Sequence, residues 1–171
     1  DYVSWSFPGG HHYEWFKSKD SVIVQWKEYR AEINLDNQSG VVYENDKLVA
    51  NEKQAKLTQK AITFFNNDSF WLSAHFKMMD EGTSRELVDL KDDLKGLKVS
   101  YSSGGSTPGD TYLWIIKDNL PIAWKMWVSI IPFGGVKTTW EDWKRTQNGV
   151  SIAMNHKLMF LNIRIQDLVI H

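Results

Sequence analysis

The sequence predicts a mainly β chain with one helical insertion, an α+β arrangement in which a strongly curved antiparallel sheet carries a helix over residues 51–65 in its mouth. Three observations predict it. Apolar and polar residues alternate with period two along most of the chain. That period changes once, between Asn51 and Phe65. The strands number about ten, and an antiparallel meander of that size must curl, close or cover its edges. Such a shape encloses an apolar concavity, where ligand sites commonly sit.

Val3, Trp5 and Phe7 alternate with Ser4 and Ser6, and Pro8-Gly9-Gly10 turns the chain into a return strand from His11 to Lys17. Val22, Val24 and Trp26 make the next strand. Tyr29, Ala31, Ile33 and Leu35 face away from Arg30, Glu32 and Asn34, a half-buried pattern. Asp36 to Gly40 is a turn, Val41 to Tyr43 a strand, and Asp46-Lys47 closes a tight hairpin into Leu48 and Val49. Leu57, Ala61, Phe64 and Phe65 then recur at helical spacing. Asn51 stands as the N-cap, and Asn66-Asn67-Asp68 stops the helix. Phe70 to Phe76 fits no single period, and Met78 to Gly82 reads as a loop. Glu86 to Leu90 and Leu97 to Tyr101 form a hairpin around Asp92-Asp93, followed by a Ser/Gly/Pro loop to Gly109. Tyr112 to Ile116 is apolar on both faces, as in a central strand. Asn119 to Pro121 turns the chain into the strand with Ile122, Trp124, Met126, Val128 and Ile130 on one face and Lys125, Trp127 and Ser129 on the other. Val136 to Lys144 sets Trp140 and Trp143 on opposite faces. Asn148-Gly149 signals a hairpin into Val150, Ile152 and Met154, and Leu158 to Ile165 closes the sheet.

Composition narrows the function. The chain has 171 residues, long enough to bury ~70% of its unfolded surface, and no repeat or linker divides it, so a single domain over 1–171 is expected. Twenty basic against 21 acidic residues leave a net charge of −1, without the basic excess of a phosphate-neutralising nucleic-acid binder. No apolar run reaches the ~18–20 residues of a membrane span. Asp1 begins beside a strand, as in a mature or trimmed chain. Cysteine is absent, which removes disulfides, thiolate metal sites and cysteine nucleophiles. The aromatic count is high, with 9 Trp, 6 Tyr and 8 Phe, and it fits either a thick packed core or a lined cavity.

Few polar constellations carry chemistry. His11 and His12 are neighbours on a strand and point to opposite faces, so they do not share one ion, and no spacing brings His75 or His156 to them; no metal site or other cofactor is expected. The acidic neighbours Asp80-Glu81, Asp92-Asp93 and Glu141-Asp142 read as solvated charge rather than a carboxylate pair across a cleft. Ser102 to Gly105 lacks the lysine spacing and following helix of a phosphate loop, and no G-x-S-x-G elbow exists. An enzyme is therefore not expected, since no nucleophile and base can be paired. What remains is apolar: Trp5, Phe7, Trp26, Phe64, Met78, Met79, Trp114, Trp124, Met126, Val128 and Trp140 supply more aromatic and thioether surface than one sheet face needs, and methionine adapts to a flexible guest.

The run Trp5-Ser6-Phe7-Pro8-Gly9-Gly10-His11, then Asn67-Asp68-Ser69-Phe70-Trp71-Leu72, Thr107-Pro108-Gly109-Asp110, Trp124-Lys125-Met126-Trp127 and Trp140-Glu141-Asp142-Trp143 resembles a group of little-characterised bacterial exported proteins similar to the Lol-type carriers that sort outer-membrane lipoproteins. The resemblance implies one half-barrel domain: an incomplete β-barrel of antiparallel strands closed by helices around a hydrophobic interior that receives acyl chains. It also implies a periplasmic or otherwise extracytoplasmic location, with any membrane anchor in a segment outside this sequence. None of Arg30, Arg85, Arg145 and Arg164 stands in a context matching the arginine latch of the carriers, so the fold and cavity class carry over and the transport mechanism does not. The leading expectation is a non-enzymatic binding protein for a lipid or acyl chain, partnered by a lipoprotein or membrane-associated protein, with those apolar residues, from Trp5 to Trp140, lining the cavity and His11, His12 and Lys125 at its rim. The rival is an interaction module with a filled core and an outer docking face centred on Trp127.

Overall fold

The structure, a computed structural model, describes residues 2–91, 94–103, 108–129 and 131–171. The expected turn at Asp92-Asp93, Gly104 to Thr107 of the Ser/Gly/Pro loop, and Ile130 lie outside them. The elements are β1 (Tyr2–Phe7), β2 (His11–Phe16), β3 (Ser21–Trp26), β4 (Tyr29–Asn34), β5 (Ser39–Glu44), β6 (Lys47–Leu48), α1 (Asn51–Ser73), β7 (Thr83–Asp89), β8 (Lys95–Tyr101), β9 (Thr111–Lys117), β10 (Leu120–Trp127), β11 (Val136–Thr139), β12 (Glu141–Arg145), β13 (Ser151–Leu158), β14 (Leu161–Arg164) and β15 (Gln166–Ile170). Short 3-10 turns cover Lys17–Lys19 and Ala74–Met79. The fold is mainly β with one α-helix among the described residues, as the alternation and its single interruption predict.

The strands form two antiparallel sheets, not one. The first has seven strands in the order β15-β1-β2-β3-β4-β5-β6; the second runs β12-β13-β11-β10-β9-β8-β7, with β14 beside β13. The break falls where β6, only two residues long, hands the chain to α1, so β7 starts a new ladder instead of extending the old one. The expected closing strand is likewise divided: β14 pairs with β13, Ile165 is buried between, and β15 joins the first sheet beside β1. The chain separates into two compact units, residues 1–70, 145–150 and 164–171 in the first and residues 71–144 and 151–163 in the second.

In the first unit, Trp5, Tyr13, Val24, Ala31 and Val42 face one another across five strands and are all fully buried. The helix covers that row with Thr58, Ala61, Ile62, Phe65, Asp68 and Ser69, buried at three- and four-residue spacings. Its N-terminal turn is docked by Gln54, whose Oε1 accepts from Val42 N at 2.9 Å. Gly40 is where the layers approach: a Cβ there would sit 2.5 Å from Ile33 Cδ1, 2.7 Å from the Glu32 carbonyl and 3.3 Å from Thr58 Cγ2. Gly40→Val is therefore expected to cost ~1–3 kcal/mol by overpacking, read as a lower urea midpoint; an unchanged midpoint would show that the helix does not press on β5.

Local details differ from expectation for identifiable reasons. The helix does not stop at Asn66-Asn67-Asp68 but runs to Ser73, because Asp68 and Ser69 fall on the buried stripe and tertiary contacts override their weak helix propensity. Asn51 is the first helical residue rather than the cap: Lys53 N and Gln54 N both donate to the Ala50 carbonyl. The β5–β6 and β9–β10 turns centre on Asn45-Asp46 and Asp118-Asn119, all four at positive φ, which suits two-residue hairpins; Lys47 and Pro121 belong to strands. Pro121 sits where the β9–β10 register shifts, a place that tolerates a residue without an N–H. Met78 and Met79 lie on a 3-10 turn instead of a loop.

Candidate functional site

Each unit has its own aromatic cluster, and the residues expected to line one cavity are divided between them. In the first unit Trp5 stacks on Tyr13 at 4.7 Å and lies near Phe65. Trp26 stacks on Tyr29 at 5.3 Å and meets Phe64 edge to face at 5.8 Å. Phe7 is half-buried at the end of β1. His11, expected at a rim, is instead tied into this layer. Its ring packs on Phe64 at 4.1 Å and its Nδ1 donates to Asp68 Oδ2 at 2.7 Å. Tyr13 Oη donates to the same carboxylate oxygen at 2.5 Å. His12 bonds Ser6 Oγ at 3.1 Å on the other face of β2, as the opposite orientation of the two histidines predicts.

Burial pushes the Asp68 carboxyl above the ordinary range, while the hydrogen bonds from Tyr13 and His11 pull it back down. The Tyr13 phenol is pushed far up by burial and by the Asp68 charge. It stays protonated and donates at any working pH. The arrangement is a latch holding the C-terminal part of α1 to β2, and it contains no nucleophile. The sequence does not announce it, because Asn66-Asn67-Asp68 reads locally as a helix stop. The signal available was the continuation of the buried spacing from Ala61 through Phe65 to Asp68.

The second unit holds the larger cluster. Trp114 on β9, Trp124 on β10 and Trp140, between β11 and β12, touch pairwise at 4.8, 4.9 and 5.0 Å. Tyr112 lies 4.8 Å and Trp71 5.3 Å from Trp124. Trp140 is flanked by His156 at 4.5 Å and His75 at 5.6 Å. Trp143, expected to face away from Trp140, stacks with it at 6.0 Å, because Asp142 takes a positive φ of 54° and turns the strand between them. Met126 is buried beside this layer, Val128 and Met78 are half-buried and Met79 is exposed. Lys125 is exposed on the opposite face of β10, in the second unit, whereas His11 and His12 belong to the first.

Both histidines of this cluster are neutral. His75 donates from Nε2 to the Ser151 carbonyl at 3.0 Å, His156 from Nδ1 to the Thr139 carbonyl at 3.2 Å, and burial pushes each pKa down to about 4. Among the described residues no three His, Asp or Glu side chains converge as metal ligands. Three donors on this inner face, Trp114 Nε1, Trp140 Nε1 and Thr138 Oγ1, are buried without a hydrogen-bond partner among the described residues, an arrangement that costs ~1–3 kcal/mol for each group. Two open clefts lie elsewhere, in the first unit. One, of about 460 Å³, is bordered by Phe16, Lys19 and Arg30; the other, of about 420 Å³, by Glu44, Leu48 and Lys53. None of the expected cavity residues borders either.

No helix of the described residues is long and apolar enough to cross a membrane. No protein-family model, curated protein or solved structure matches this chain.

Proposed function

We propose that this chain is a non-enzymatic lipid-binding protein that works outside the cytoplasm. In this reading the second unit's sheet acts as an incomplete barrel and receives an acyl chain along its aromatic face. The observation that carries the reading is the make-up of that face. Trp114, Trp124, Met126 and Trp140 form an apolar wall, and within it the indole N–H groups of Trp114 and Trp140 and the Thr138 hydroxyl lack partners among the described residues. A guest with an apolar tail and one acceptor oxygen suits both features. Each CH₂ moved from water to such a wall contributes ~0.8 kcal/mol, and an ester or carboxylate oxygen satisfies the stranded donors. The rings touch one another, so the guest enters by parting them. Met126, buried on the same face, adds to the wall a side chain that repacks readily.

Native mass spectrometry of gently purified protein, followed by displacement of a fluorescent fatty acid excited through the tryptophans, tests the reading. A co-purifying lipid mass and saturable displacement are expected. Thr138→Val is expected to weaken binding about tenfold, the loss of one hydrogen bond, without lowering stability. No lipid and no transfer of excitation to the probe would sink the reading. A second reading, an outer docking face, is favoured by one observation: Trp127 is 43% exposed on the outer face of β10. Trp127→Ala leaves fatty-acid binding intact if the interior site is the correct one.

A further inference from the structure

Five large apolar side chains left in water, Trp127, Phe133, Met159, Phe160 and Leu161, lie at one end of the second unit's sheet. Trp127 ends β10, and its indole lies over Gly134 and Gly135, where a Cβ on Gly134 would fall 2.1 Å from the ring. Phe133 is 56% exposed in the same connection. The turn between β13 and β14 joins this end. Leu158 pairs with Thr138 and the chain runs antiparallel to β11, so Met159 and Phe160 project past it toward the level of Val136 and Met126. Met159 is 66% exposed, Phe160 87% and Leu161 54%. Three consecutive apolar residues at the tip of a hairpin form a wedge rather than a groove.

Charge says what covers that end. Lys125 and Lys137 are direct cross-strand partners on the outer face, one step in from the Met126–Val136 pair, and both are exposed. Like charges set opposite each other on neighbouring strands destabilise a sheet, and neither lysine has an ion-pair partner among the described residues. The neighbouring Lys157 is matched, at 2.9 Å from Glu141, and Lys98 by Glu86 at 3.2 Å. An apolar tip, a half-exposed indole and two unmatched lysines behind them are the parts of an interfacial membrane anchor. Apolar side chains enter the acyl boundary, Trp settles at headgroup level, and Lys meets anionic phosphates.

The geometry points to this end of the second unit as a docking surface for an anionic lipid bilayer, with the Met159–Leu161 hairpin tip inserting and Lys125 and Lys137 contacting headgroups. It stands on outer-face and hairpin residues and does not depend on an acyl chain entering the sheet interior.

Flotation with vesicles of neutral phosphatidylcholine, and of the same lipid with three parts in ten phosphatidylglycerol, tests it on the whole chain. Wild type is expected to float with the anionic vesicles, with binding falling as salt rises. Phe160→Asp is expected to reduce bound protein at least tenfold. Lys125→Glu with Lys137→Glu is expected to remove the preference for anionic lipid. Leu87→Asp, at a side chain 81% exposed on the edge strand β7, serves as the control and is expected to bind as wild type. Circular dichroism melts confirm that each variant is folded. The assignment is overturned if wild type fails to float at low salt, if Phe160→Asp binds undiminished, or if Leu87→Asp loses as much as Phe160→Asp. It is also overturned if the patch proves to join two copies of the chain, seen as a dimer that Phe160→Asp dissociates while vesicles remain unbound. Loss of fatty-acid displacement with vesicle binding intact would remove the interior site and leave this surface standing.

Discussion

Trp140→Ala is expected to destabilise the protein by ~3–5 kcal/mol, the range for deleting a large buried aromatic. Its ring contacts Trp114, Trp124, His75, His156 and Trp143, so truncation empties the centre of the second unit's inner layer instead of trimming its edge. Neighbours built from rigid rings collapse poorly into such a void, which places the cost toward the upper part of the range. Trp140→Phe keeps an aromatic surface for the flanking imidazoles and is expected to lose clearly less. Urea unfolding followed by circular dichroism measures both. A Trp140→Ala midpoint close to wild type would mean the cluster is loosely packed, and the interior would then be open space for a guest.

Stability is expected to fall by ~2 kcal/mol between pH 7 and pH 5, chiefly through His156. Burial holds its folded pKa at about 4 against an ordinary 6.5. Between those values the unfolded chain binds a proton that the folded chain refuses. The contribution is therefore fully present above about pH 6.5 and is lost progressively as pH falls toward 4. His75, also held at about 4, acts in the same direction, to a smaller extent because its side chain is only partly covered. Asp68 acts oppositely. Its folded pKa is raised, so the folded state takes up a proton at a higher pH than the unfolded chain does, and its share of stability rises on acidification. The net fall therefore stays below the sum of the two imidazoles. Urea midpoints at pH 7.5, 6 and 5 read the slope, and His156→Gln is expected to flatten it. An unchanged midpoint across that range, or a variant with the wild-type slope, would show that His156 is solvated in the folded protein.

The latch at Asp68 and the pair His75 and His156 show why the candidate site was only partly legible. Each residue reads locally as a helix stop, a lone histidine or a rim group. What gives them their properties is placement beside partners 57 or 76 positions away in the chain, as with His11 and Asp68 or His75 and Ser151. Period-two alternation names the face a residue occupies and says nothing about which strand lies across from it. The wedge at Met159–Leu161 is similar: its sequence reads as one more apolar stretch, and its exposure follows from the hairpin that carries it beyond the last strand pair.

Periodicity alone was sufficient for the mainly β class, the antiparallel hairpins, one helix beginning at Asn51 and the inward side of β1, of β4 and of β10 at Trp124 and Met126, because these follow from local geometry and the hydrophobic effect acting within a few residues. It fails at Ile122, expected on the same face, because the register shift after Pro121 leaves Ile122 38% exposed and buries Ala123 instead. The division into two sheets, the return of β15 to β1, the extension of α1 to Ser73 and the segregation of Trp5 and Trp26 from Trp114, Trp124 and Trp140 were decided in three dimensions. They depend on contacts between segments far apart in the chain, where burying Asp68 against Tyr13, or ending a ladder after two residues at β6, outweighs any local preference.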